Sequence, residues 1–118
     1  MNYNLKGTGL ALSEEMRVYL DKKLVHAEKF IRTGPPVQLD VELEFVAGAA
    51  GPKYRAEYTL ARGKEIFRAQ ARGTTLHEAI DIASDELAQK LAKMRDKRRH
   101  LFRRGAARIK EYLRGFRD

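Results

Sequence analysis

The sequence predicts an α+β fold: strand, helix, three strands, helix, arranged as a four-stranded mixed sheet with both helices on one face. Two long stretches repeat apolar residues at three-and-four spacing, the mark of a helix with one buried stripe. Four short runs alternate apolar and polar residues singly, the mark of strands with one buried face. At 118 residues the chain can fill one modest core, so both stripes and all four faces must share it.

Taken in order, Tyr3, Leu5 and Gly7 alternate with Asn4, Lys6 and Thr8 in a first strand. Ser13 is the expected N-cap of the first helix, with Glu14 and Glu15 complementing the helix dipole in its first turn. The stripe of that helix is Met16, Leu20, Leu24, Ala27 and Ile31, with Tyr19 and Phe30 at its margin, and it should stop before Gly34, Pro35 and Pro36. From Val37 to Phe45 the period is two, with Val37, Leu39, Val41, Leu43 and Phe45 on one side and Gln38, Asp40, Glu42 and Glu44 on the other. After a Gly- and Ala-rich loop, Tyr54 to Leu60 and Phe67 to Arg72 alternate in the same way, with a tight turn expected at Arg62 and Gly63. Arg55, Arg68 and Arg72 face the row of Glu42, Glu44 and Glu57, so the open sheet face reads as mutually neutralised surface. A right-handed crossover through the first helix would make strands one and two parallel neighbours.

The second helix is expected from Thr75 to Arg104. Thr75 caps it, Glu78 returns the bond to the Thr75 amide, and Leu76, Ile80, Ala83, Leu87, Leu91 and Met94 form its stripe. Thirty helical residues cover about 45 Å, whereas an eight-residue strand covers about 26 Å, so this helix must overhang the sheet. Gly105 is expected to interrupt it, leaving residues 105–118 as a basic amphipathic tail with Ile109, Tyr112, Leu113 and Phe116 at helical spacing. The organisation is therefore a domain over residues 1–104 followed by that tail.

Charge divides the chain unevenly. Residues 1–89 hold 12 Lys and Arg against 13 Asp and Glu, whereas residues 90–118 hold 12 against 3, giving the overall +8. Lys90, Lys93, Lys97 and Arg104 lie in one stripe beside the apolar one, with Arg95, Arg98, Arg99 and Arg103 around it. Such a surface fits a polyanion, and the bland alternative is a solubilising tail. With no cysteine in the sequence, disulfides, thiolate catalysis and cysteine zinc sites are excluded, and a reducing cytoplasm is permitted. Only His26, His77 and His100 are available as imidazoles, at no metal-ligand spacing on one helix face, and no Gly-rich phosphate loop follows a strand. Neither Ser13 nor Ser84 lies in a nucleophile motif. The reading is a binding protein without catalysis or cofactor, soluble, cytoplasmic, and a monomer when free.

Asn2 through Phe30, with Leu5, Gly7, Leu10, Leu12, Ser13, Arg17, Lys23 and Lys29, resembles the opening of the ribosome hibernation-promoting factors, a family that includes the ribosome-associated stationary-phase translation inhibitors. Thr75, Leu76, His77, Glu78, Ala79, Ile80 and Asp81, followed by Asp85, Leu87, Leu91 and Lys93, resembles the second helix of that family, and the likeness extends over residues 2 to about 97. It implies a factor that occupies the messenger and transfer RNA channel of the small ribosomal subunit, inhibiting translation while protecting idle ribosomes. By position it implies rRNA-facing Lys23, His26 and Lys29 on the first helix and Lys90, Lys93 and Lys97 on the second, and Arg104 joins them by its place in the same stripe. The two sets are expected to flank one groove. His26 stands where the family usually has Lys or Arg, Glu86 where it usually has Lys, and His77 where it usually has Tyr; Glu86 moves the expected contact toward the C-terminal half of the helix. Ending at Asp118, the chain resembles the short class of the family.

The alternative binder is a double-stranded or structured RNA-binding module, but such domains open their last helix with a Lys-Lys pair, and here Thr75, Leu76 and His77 stand there. For the tail, packing back on the domain or contact with rRNA or ribosomal proteins is favoured over an anionic membrane.

Overall fold

The computed structural model describes residues 2–32 and 34–115. The element order is β1 (Asn4–Thr8), α1 (Glu14–Ile31), β2 (Gln38–Phe45), β3 (Tyr54–Arg62), β4 (Glu65–Gly73) and α2 (Leu76–Gly115). The four strands form one sheet in the order β1-β2-β3-β4, with β1 parallel to β2 and the other neighbours antiparallel.

Register decides which face is buried. Val41 stands opposite Tyr58 and Tyr58 opposite Ala69, while Leu43, Ala56 and Ala71 line up beside them, so the apolar half of each alternation meets on one side. Leu20, Leu24 and Ala27 of α1 and Ala79, Ile80, Ala83, Leu87 and Leu91 of α2 close over that side in a single core. Within it, the hydroxyl of Tyr58 pairs with Ser84 Oγ at 2.8 Å, which satisfies two polar groups that burial would otherwise penalise. Burial raises the Tyr58 phenol to about 12. Ser84 is therefore a core residue with a structural partner.

Both helix starts follow the sequence reading, with one difference. The Met16 amide donates to Ser13 Oγ at 3.2 Å, and the Glu78 amide donates to Thr75 Oγ1 at 3.1 Å. The Glu78 carboxylate, expected on the Thr75 amide, instead accepts from the amide and hydroxyl of Thr74, at 3.4 and 3.3 Å. The chain turns so sharply here that a Cβ on Gly73 would stand 2.7 Å from the Ala79 nitrogen and 2.9 Å from Thr75 O, so only glycine closes this corner. Ser13→Ala and Thr75→Ala should each lower stability by about 1 kcal/mol through the lost cap, measured by urea unfolding. An unchanged midpoint would show that water replaces the cap.

The β3–β4 hairpin closes on Gly63 and Lys64, with Arg62 paired to Glu65. Gly63, at φ +58°, takes the first central position that a type II′ turn gives to glycine. On the open face, the acidic row converges on Arg55, which bonds Glu44 at 2.9 Å, Glu57 at 2.8 Å, and also Glu42. The expected neutralisation thus rests on Arg55, while Arg68 and Arg72 stay exposed.

The expected break at Gly105 does not occur. α2 is a single 40-residue helix running through Gly105 to Gly115. One glycine costs a helix interior only about 1 kcal/mol, and Arg103, Arg104, Ala106 and Ala107 around it are strong helix formers. At about 1.5 Å per residue this helix is roughly 60 Å long, which accounts for the 72 Å long axis of a molecule only 28 by 22 Å across. Side chains of Ile109, Tyr112, Leu113 and Phe116, on which the tail's amphipathic stripe rests, lie outside the described ones.

Candidate nucleic-acid interface

The basic residues expected in one groove are distributed over three places. Lys23 lies at the first, a clasp between the helices. Its ammonium is 3.0 Å from Asp81 on α2, and it stands 5.6 Å from the Tyr19 ring centroid. The Tyr19 hydroxyl donates to the same carboxylate, and His77 packs edge-on against Tyr19 at 4.4 Å. Lys23 thus has a carboxylate partner of its own. The clasp shifts its own titrations: the bond to Asp81 raises Lys23 against the opposing effect of burial, while burial pushes Asp81 up but the bonds from Tyr19 and Lys23 outweigh it, holding Asp81 below its ordinary value.

The sign of the pH dependence follows. A lowered Asp81 contributes stability above the ordinary carboxylate range and loses it as pH falls through the lowered value. The raised Lys23 contributes fully below the ordinary lysine range and loses its share only as pH rises through the raised value. The clasp is therefore complete at neutral pH. Because the two side chains remain 35% and 41% exposed, Asp81→Asn should cost less than about 1 kcal/mol at pH 7. Thermal melts should show that deficit shrinking below about pH 4, and a deficit constant down to pH 2 would contradict the assignment.

The second place is the groove between the helices. His26 and Lys29 line it from α1, but from α2 it is lined by Asp85, Ala88, Gln89 and Ala92. Lys90, Lys97 and Arg104 each follow Asp81, Ala88 and Arg95 by nine residues, half a turn at about 100° per residue, so they face away from α1. Lys90 accordingly reaches across to the carbonyl of Arg68 on the edge strand β4 and pairs with Glu86 at 3.1 Å. Two rows flanking one groove is therefore not the arrangement: Lys90, Lys93, Lys97 and Arg104 run along the β4 side of α2. Past the sheet the distinction fades, because Lys97, Arg98, Arg99, Arg103 and Arg104 fall at steps that carry charge round the whole projecting helix. That segment also exposes Leu101 and Phe102, the latter by 78%.

A fourth place was not assigned from sequence. Where α1 ends and α2 continues, a cleft of about 440 Å³ is lined by Lys29, Arg62, Arg95, Arg98 and Arg99 over Phe30, Leu60, Phe67, Leu91 and Met94. Arg95 stands over the Phe30 ring at 4.8 Å, with Lys29 5.1 Å from the same ring. Among the described residues Glu65 is the one carboxylate lining it, and it is held by Arg98. A signal existed: Arg98 follows Leu91 by seven residues, which places a cation on the apolar stripe itself just where the sheet runs out.

The chain is thus an α+β domain with one buried sheet face and a cationic helix projecting beyond it, and comparisons with known proteins give that class a family. Residues 3–99 match the family described as sigma 54 modulation protein / S30EA ribosomal protein. The chain belongs to this family, that of the ribosome hibernation-promoting factors. A ribosome hibernation promotion factor of Picosynechococcus is 31% identical over 82% of the chain, and one of Bacillus subtilis 21% identical over 87%. The chain spans about half the length of these relatives, 50% and 53%. Among solved structures, the N-terminal domain of Thermus thermophilus Protein Y superposes with a TM-score of 0.66 at 25% identity, covering 80% of this chain and 99% of that one. A ribosomal subunit interface protein of Coxiella burnetii shares the fold, with a TM-score of 0.63 at 18% identity over 81% of this chain and 99% of its own. Among the described residues no helix is long and apolar enough to cross a membrane.

Proposed function

We propose that the protein is a ribosome hibernation factor that binds the small subunit in the channel of messenger and transfer RNA, inhibiting translation while protecting idle ribosomes. The observation that carries this reading is the projecting half of α2, where cations surround a helix that has left the sheet and therefore has phosphate-binding capacity on every side. Family membership supplies the ribosome as the polyanion. No base code is required, because helix-borne Lys and Arg position a protein on phosphates while shape supplies selectivity. The groove carrying His26 and Lys29 and the β4 side carrying Lys93 and Lys97 give two faces for rRNA.

Sedimentation with separated subunits, with and without bound messenger and transfer RNA, tests partner and site together. The expected result is binding to the small subunit that falls steeply with salt and is displaced by the bound RNAs. Absence of small-subunit binding at moderate salt would refute the reading.

A further inference from the structure

We infer that the cleft under the start of the α2 overhang is a nucleotide-binding site, taking one phosphorylated nucleoside with its base over the apolar floor and its phosphate among the arginines. Two properties separate this cleft from a solvated basic face. Its floor is apolar, with half-buried Phe67 and Met94 laid over the core residues Leu60 and Leu91, and simple anions have no use for such a surface. Its wall carries Arg95 with the guanidinium over Phe30, and aromatic rings and guanidinium planes are the surfaces on which unpaired bases stack. Around that floor stand Lys29, Arg62, Arg95, Arg98 and Arg99 against the carboxylate of Glu65. With Arg98 committed to Glu65, an Arg62 amino group donating to Ile31 O at 3.1 Å, and Arg95 Nε 3.5 Å from Asp96 with its guanidinium over Phe30, Lys29 and Arg99 are the cations best disposed to reach a phosphate from the rim. The volume, about 440 Å³, is within the range of small-ligand sites.

The same chemistry has two sources: a free nucleotide, or one unstacked nucleotide of an RNA strand. Both require the base and the phosphate together. The site is defined without reference to any ribosome, so it can be tested on the isolated chain.

The experiment follows backbone amide resonances of the full chain while adding adenosine or guanosine 5′-monophosphate, a uridine hexaribonucleotide, ribose 5-phosphate or inorganic phosphate. Saturable shifts at residues 62–67 and 91–99 are expected from a nucleotide-bearing probe, at least about tenfold tighter than from ribose 5-phosphate or phosphate. Arg95→Glu and Arg99→Glu, both exposed and away from the core, should weaken that binding about tenfold or more while circular dichroism stays unchanged. Lys53→Glu, exposed just before β3 at the end of that strand opposite Arg62, should leave it intact. Response to the mononucleotides identifies a free nucleotide as the ligand, and response to the hexaribonucleotide alone identifies a strand; either supports the inference. Equal affinity for inorganic phosphate would reduce the cleft to an anion site and overturn it, as would no response at those residues. Small-subunit sedimentation of the same variants keeps the two readings apart, since a chain that sediments with subunits but takes no nucleotide refutes only this site.

Discussion

Leu87→Ala should lower the unfolding free energy by about 2 to 5 kcal/mol, the cost of deleting a fully buried leucine and leaving a cavity. Leu87 is 0% exposed, at the centre of the α2 stripe between Ala83 and Leu91, in the layer where α2 covers the sheet. A domain of this size has only about 5 to 15 kcal/mol of net stability, so the substitution removes a large share of it. Any loss of ribosome binding should follow the fraction unfolded in urea titration. A change below about 1 kcal/mol would mean that α2 can shift to fill the space, and that the core is looser than its burial indicates.

The largest effect on binding is expected from reversing charge on both faces at once. Lys29→Glu and Lys93→Glu should each weaken small-subunit affinity, and the double variant more than either, with melting temperatures nearly unchanged because both side chains are exposed. Each lost phosphate contact should reduce the salt slope by about 0.7 to 0.9, or roughly threefold in affinity over a fourfold range of salt. The two residues lie on different sides of α2, so a deficit in both means that RNA embraces the helix from two directions. Lys23→Glu should behave differently: it sets a second carboxylate beside Asp81, and its cost should fall on stability before it falls on the slope. If both exposed reversals bind normally while removal of residues 105–118 abolishes binding, the C-terminal segment is the binding element.

Much of the fold was legible because each element carries its own periodicity. Strand alternation and helix stripes are local properties, and they gave the element order, the buried faces and the cap residues Ser13 and Thr75. The helix end was misread because Gly105 looked like a stop signal, but a glycine costs too little to end a helix flanked by alanine and arginine. The candidate site was less legible. Composition located the cationic segment, a positional resemblance named Lys23, His26, Lys29, Lys90, Lys93 and Lys97, and the helix stripe added Arg104, but none of these states what stands opposite a given lysine.

That is the division between the two sources. By itself the sequence determined which residues are apolar in which rhythm, hence four strands and two helices sharing one core, and that the excess positive charge lies after residue 89. Only the tertiary structure decided how the charges are used: Lys23 on Asp81, Lys90 on Glu86 and the Arg68 carbonyl, and Lys29, Arg62, Arg95 and Arg99 gathered round one apolar floor. The physical reason is range. Periodicity reports which side of its own element a residue occupies, whereas a charge's partner depends on the docking angle of two helices and the place where the sheet stops, and these are fixed by packing between segments far apart in sequence, as Tyr19 and Asp81 are at 62 residues.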